Sequence, residues 1–255
     1  MFSIITICKD DLIGLKKTCE SLRAQTNVKF DWIVIDAVSI DGTVDYLINS
    51  DIKFLKYWLS EPDAGIYDAM NKGARFIRQD YVIYLNAGDI LNDNFLTIAA
   101  GKIKKLKSDI LFFSYNLDLP NGATIHKEPR DFASYIWHGM PTSHQAMIFS
   151  SSLIMGIPYD TKYKISGDYY LLAKAFECGF TADVNLDCMS TFQVGGASFQ
   201  SPKTLIFEAW KIRREVLNVG LRLCIVSFLK SCISILGLRI LSINIFKFYF
   251  GRHIK

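Results

Sequence analysis

SEPDAGIYDAMNKGARFIRQDYVIYLNAGD, residues Ser60 to Asp89, decides how this chain is read. Glu61-Pro62-Asp63 cannot continue a strand, because proline lacks an N–H and fixes its own φ. Ile66, Met70, Gly73 and Ile77 then recur at the spacing of one helix face, with Asp68, Lys72 and Arg75 on the other side. Tyr81–Leu85 is a short apolar run rich in β-formers, which predicts a buried strand. It stops at Asn86-Ala87-Gly88-Asp89, where glycine lets a carboxylate stand at a tight bend.

The same alternation extends outward. Phe2–Cys8 reads as a buried parallel strand and ends in Lys9-Asp10-Asp11. Leu12, Leu15, Cys19 and Leu22 mark a helix face, and Asp31–Asp36 is a second strand ending in an acid. Asp41-Gly42-Thr43 turns the chain into a short helix at Val44–Asn49, and Lys53–Leu59 is a third strand. A helix is expected over Asn94–Lys107, and Ile110–Tyr115 is apolar again. Strands and helices alternating in this way predict βαβ units and a largely parallel sheet flanked by helices. Ligands bind such sheets beyond the carboxyl ends of the strands. Four successive ends carry Lys9/Asp10, Asp36, Glu61/Asp63 and Asn86/Asp89, so polar groups converge on one rim. Neither GxGxxG nor a P-loop motif is present. Residues 116–200 are less regular: a hairpin turn at Pro120-Asn121-Gly122, a strand with a polar start at His144–Phe149, and a helix after Gly167-Asp168. A return strand follows at Met189–Val194, with a flexible turn at Gly195-Gly196.

Glu61 to Asn71, followed by Gly73 and the Asn-Ala-Gly-Asp loop, resembles glycosyltransferase family 2. The likeness is to members that build bacterial capsule, O-antigen and colanic-acid-type polysaccharides. The resemblance implies a GT-A fold, with residues 1–115 as the nucleotide-sugar-binding half and 116–202 as the acceptor-binding half. It also implies a nucleotide-sugar donor, a saccharide or lipid-linked acceptor, and Mg²⁺ or Mn²⁺. Asp89 is the implied metal ligand, although Asn86 and Gly88 stand where other members often have aspartates. Thr6 and Asp36 are implied contacts of the nucleoside. Glu61, Asp63, Asp68, Asn71, Lys72 and Asn86 fall on the donor side, with Lys72 a contact for the diphosphate. Asp168 is the implied general base, in a place where relatives often carry Glu-Asp and this chain has Gly167-Asp168. His144 is a candidate contact of acceptor or pyrophosphate. Each also has a plain structural reading: a strand-end threonine, a turn acid, a solvated lysine, a helix-capping aspartate. A sugar nucleotidyltransferase is the alternative enzyme, but Cys8–Asp11 lacks its glycine-rich basic loop. A non-catalytic scaffold is the other alternative.

Charge and hydropathy divide the chain. Residues 203–255 carry a net charge of +8 and the remainder −4. This basic, apolar stretch predicts helices that lie on an anionic membrane surface, and no nucleic-acid partner is expected. Met1 leads straight into a strand, so no signal peptide is expected. Six cysteines without CxxC pairs suit a reducing compartment. The expected address is the inner face of the cytoplasmic membrane.

Overall fold

The computed structural model describes residues 1–119, 121–193 and 201–229. The turn proline Pro120, the Gly195-Gly196 turn and the stretch from Lys230 onward lie outside the described residues. The first half is a parallel unit: β1 (Phe2–Cys8), α1 (Leu12–Arg23), β2 (Phe30–Asp36), α2 (Thr43–Asn49), β3 (Leu55–Ser60), α3 (Ile66–Ala74) and β4 (Tyr81–Tyr84). Strands β3, β2, β1 and β4 lie side by side and parallel. Their apolar runs are continuous because helices cover both faces. Gly73 lets α3 approach closely: a Cβ there would lie 2.5 Å from Cγ2 of Ile5.

Beyond β4 the sheet changes direction. The second half contains β5 (Ile90–Leu91), α4 (Phe95–Ile103), β6 (Ile110–Asp118), β7 (Thr124–Lys127) and α5 (Phe132–Tyr135). A 3₁₀ turn at His144–Ala146 leads into β8 (Met147–Ser150), then α6 (Ser151–Gly156), α7 (Gly167–Glu177), β9 (Ala182–Gln193) and α8 (Pro202–Glu215). β8 is antiparallel to both β4 and β6, while β6 and β9 run parallel. The parallel sheet expected from the sequence therefore holds for four strands, and the other half is mixed. The hairpin is present as β6/β7. The polar start of the His144–Phe149 segment is the 3₁₀ turn rather than strand, and β9 is much longer than Met189–Val194 suggested.

Successive strand residues feed two cores, one on each face. Ile5, Tyr84, Phe112 and Phe149 belong to one, and Ile4, Ile83, Leu111 and Phe113 to the other. The first core also includes Ile212, Val216, Leu217 and Cys224. The boundary expected at 202/203 is thus not where packing separates. Helix α8 belongs to the body, with Glu208 and Arg213 buried in it. Arg213 donates to the His138 carbonyl at 2.6 Å and lies over the Tyr169 ring.

Candidate active site

The Asn86–Asp89 loop leaves the end of β4 and turns at Gly88, whose φ is +90°. Thr18 of α1 holds it. The Thr18 hydroxyl lies 2.9 Å from the Asp89 carbonyl and 3.2 Å from that of Asn86, and accepts from the Gly88 N–H at 3.0 Å. This grip turns the Asp89 side chain inward, where Oδ2 accepts from the Asn86 N–H at 3.1 Å. Burial pushes the Asp89 carboxyl up to about 6, against the opposing pull of His144 and the Asn86 N–H.

A polar chain runs from this loop, at the end of β4, to the start of α7. Nδ2 of Asn86 lies 3.1 Å from Nε2 of His144, and Nδ1 of His144 lies 3.4 Å from Oδ2 of Asp168. The Tyr67 hydroxyl of α3 donates to the Ile165 carbonyl at 2.7 Å and stands 3.4 Å from the same Asp168 oxygen. Asp168 is the second residue of α7 and does not cap it; its side chain faces His144 instead. Oδ1 of Asp168 is buried without a hydrogen-bond partner, as are the hydroxyls of Tyr84 and Tyr159. Burial, with the Asp168 charge added, pushes both phenols up. Asp168 therefore sits among Tyr67, Tyr84 and Tyr159, with Oδ2 near Tyr67 and His144 and Oδ1 buried and unpartnered.

The remaining expected site residues fall into separate groups. Lys72 donates to the Pro62 carbonyl at 2.6 Å and pairs with Glu61 at 2.9 Å and Asp68 at 3.4 Å. It is nine-tenths buried, so it is neither a solvated helix-face lysine nor a free cation. The Ala64 N–H, and then Lys72, hold the Asp68 carboxyl below its usual range. Asp63 accepts from the Gly65 N–H at 2.9 Å and shapes the same turn. Asn71 makes two bonds to the backbone of Tyr159, donating at 2.8 Å and accepting at 2.9 Å, which pins the chain before α7. Asp36 is wholly buried and accepts from the Ser39 N–H at 3.0 Å, the Ser39 hydroxyl and the Ser60 hydroxyl at 2.6 Å. Its carboxylate thus fixes the loops after β2 and β3. Thr6 is not brought to the site. Its hydroxyl donates to the Leu85 carbonyl at 2.7 Å, accepts from the Trp32 indole at 2.8 Å, and has no exposed surface.

The Asn86–Asp89 loop offers only part of a shell for a divalent cation. Among the described residues no three His, Cys, Asp or Glu side chains form a metal set. Asp89 and the amide oxygen of Asn86, which is buried without a partner, are nevertheless hard oxygen donors on one loop. That pair fits a cation whose shell is completed by substrate phosphates rather than by the protein. Thr18, Tyr67, Ser39, Ser60 and Glu208 carry the geometry, and none stands out in the sequence, because each acts through a partner far away in the chain.

A sheet with a parallel nucleotide-type half and a polar rim of this kind is the architecture of nucleotide-sugar transferases. The chain belongs to the glycosyl transferase family 2, whose model matches residues 3–169. An uncharacterized glycosyltransferase of Mycobacterium tuberculosis is 33% identical over 182 residues, covering 69% of each chain. A PGL/p-HBAD biosynthesis glycosyltransferase of Mycobacterium bovis is 25% identical over 186 residues, covering 69% of this chain and 70% of that one. Among solved structures, TarS of S. aureus in complex with UDP-GlcNAc superposes with a TM-score of 0.64 at 16% identity, covering 90% of this chain and 81% of that one. The mannosyltransferase PcManGT of Pyrobaculum calidifontis, in complex with GDP-Man and Mn2+, gives 0.66 at 13% identity, covering 86% and 64%. These likenesses show the GT-A fold.

Proposed function

We propose that this glycosyltransferase moves a sugar from a nucleotide-diphosphate donor, UDP-linked, to a hydroxyl of a saccharide or lipid-linked saccharide. The product belongs to a bacterial surface glycan, and the anomeric centre inverts in one displacement. The observation that carries the reading is the chain Asn86–His144–Asp168, which links the Asp89 loop to a carboxylate with one unpartnered oxygen. An acceptor hydroxyl is far too weak an acid to attack unaided at neutral pH, so a base must take its proton as the bond to the anomeric carbon forms. Asp168 takes that proton, with Tyr67 and His144 flanking its Oδ2 and so orienting the carboxylate. Mg²⁺ or Mn²⁺, when bound, would neutralise charge on the departing diphosphate as a Lewis acid, held by Asp89 and the Asn86 amide oxygen. Asp36, through Ser39, sets the shape of the loop that faces the nucleoside. The Glu61–Lys72–Asp68 cluster keeps the adjoining turn rigid, so Lys72 acts on the donor site by shaping it.

Support from outside the chain comes from the solved transferases of the same fold with UDP-GlcNAc or with GDP-Man and Mn2+. The chain is further proposed to work on an anionic membrane surface. Phe207, Leu221, Ile225 and Leu229 are exposed on α8 and on the helical residues 221–229, and all but Leu221 line a groove with Ile206, Trp210 and Phe228. Among the described residues no helix is long and apolar enough to cross a membrane. The deciding experiment is a thermal-shift screen of the full chain against UDP-, GDP- and dTDP-sugars with Mn²⁺, followed by assay of nucleotide release. A true donor raises the melting temperature by mass action, and failure of all three classes overturns the reading.

A further inference from the structure

We infer that Glu208 is a positioning residue for the proposed transfer, holding from α8 the three peptide units that carry Asp168 toward His144. The inference rests on the role proposed for Asp168. Glu208 lies on a helix that begins after the family match ends, in the stretch whose charge suggested a separate tail. Only 7% of it is exposed. Oε1 accepts from the Lys164 N–H at 2.7 Å, and Oε2 accepts from the N–H groups of Ile165 at 3.0 Å and Ser166 at 2.8 Å. Three backbone donors aimed at one carboxylate compensate its burial and fix three consecutive peptide planes.

The same segment is held from the opposite edge. Tyr67 donates to the Ile165 carbonyl and reaches Asp168 itself, and the Ser166 hydroxyl donates to the Leu205 carbonyl of α8 at 3.3 Å. Gly167 follows directly, and its lack of a side chain lets the Tyr67 ring close over the start of α7. Segment 164–166 is thus clamped between α3 and α8, and Asp168 leaves that clamp facing His144. A glutamine at 208 cannot reproduce this, because its amide NH₂ would face a backbone donor. An aspartate is one methylene too short to keep all three bonds.

The test uses the full chain and two independent readouts. The first is the NMR signal of the His144 ring without substrate, assigned by its loss in His144→Asn. The second is UDP release from UDP-GlcNAc with Mn²⁺. Glu208→Gln is expected to move the His144 signal. It should lower kcat about tenfold to a hundredfold while KM for the donor stays within about twofold, as for a small displacement of a reacting group. Tyr67→Phe should couple with it, the double variant losing less than the product of the two single losses. If Glu208→Gln does not fold, Glu208→Asp carries the same test with a smaller effect. A folded variant with a lower melting temperature, an unmoved His144 signal and unchanged kcat would overturn the inference. Absence of nucleotide release from wild-type protein with every donor class would instead count against the transfer reading, and the His144 signal would still decide the positioning role.

Discussion

His144 Nδ1 and Asp168 Oδ2 stand 3.4 Å apart, bringing the turn before β8 against the first turn of α7. Nε2 on the other side of the ring lies 3.1 Å from Asn86 Nδ2, so the imidazole bridges the Asp89 loop and Asp168. His144→Ala removes the ring that packs against Asp168 Oδ2. It should lower kcat about tenfold to a hundredfold by misdirecting the base. Steady-state kinetics with donor and acceptor varied separately checks this, and donor KM should change little.

Asp89 makes a second expectation, on stability. Its carboxyl is pushed up to about 6 by burial, above its ordinary value of 3.8, so the folded chain binds this proton more tightly than the unfolded chain does. The stabilising contribution is present in acid and is lost as pH rises from the unfolded value through about 6. At pH 8 the buried, ionised Asp89 costs on the order of 3 kcal/mol in the absence of metal. Asp89→Asn should therefore melt at a higher temperature than wild type at pH 8 and at nearly the same temperature at pH 4. It should also lose Mn²⁺-dependent stabilisation by the donor. Melting curves across pH, with and without Mn²⁺ and donor, test both halves.

Gly167 leaves no room for a side chain at the start of α7. A Cβ at 167 would lie 2.6 Å from the Tyr67 ring, and that ring is buried and stacked against Tyr159 with centroids 5.1 Å apart. Gly167→Ala should cost about 1–3 kcal/mol by overpacking. It should also reduce kcat, because Tyr67 must move away from Asp168. Chemical denaturation and turnover should fall together.

Membrane association is expected to depend on apolar side chains as well as on charge. Replacing Phe207, Ile225 and Leu229 together by serine removes exposed apolar surface and leaves Glu208 and Arg213 in place. Co-sedimentation with phosphatidylglycerol vesicles should weaken at least about tenfold in the triple variant, given the transfer energy of the lost groups. High salt should weaken, without abolishing, wild-type binding. Equal binding by wild type and triple variant would remove these residues from the interface.

The parallel half of the fold was legible because Phe2–Cys8, Asp31–Asp36 and Tyr81–Leu85 are short apolar runs that end in polar residues, and a strand buried on both faces must read that way. The convergence of strand ends on one rim followed from topology alone. β9 was only partly visible, since its residues alternate irregularly between buried and half-exposed as it pairs with both β6 and β5. Asp168 and His144 could be named as candidates, but their contact is long-range and leaves no spacing signal. A charge sum sets residues 203–255 apart as a peripheral tail because it does not distinguish Arg213, buried over Tyr169, from a lysine in water.

In the proposed mechanism Asp168 takes the proton of the acceptor. Asp168→Asn keeps the shape of the side chain and removes its basicity, so the most direct measurement is kcat together with donor affinity in this one variant. The proposed mechanism predicts a fall in kcat of about 10²–10⁴-fold, with donor binding in the presence of Mn²⁺ nearly unchanged. Near-wild-type turnover, or turnover retained while donor affinity collapses, would contradict it.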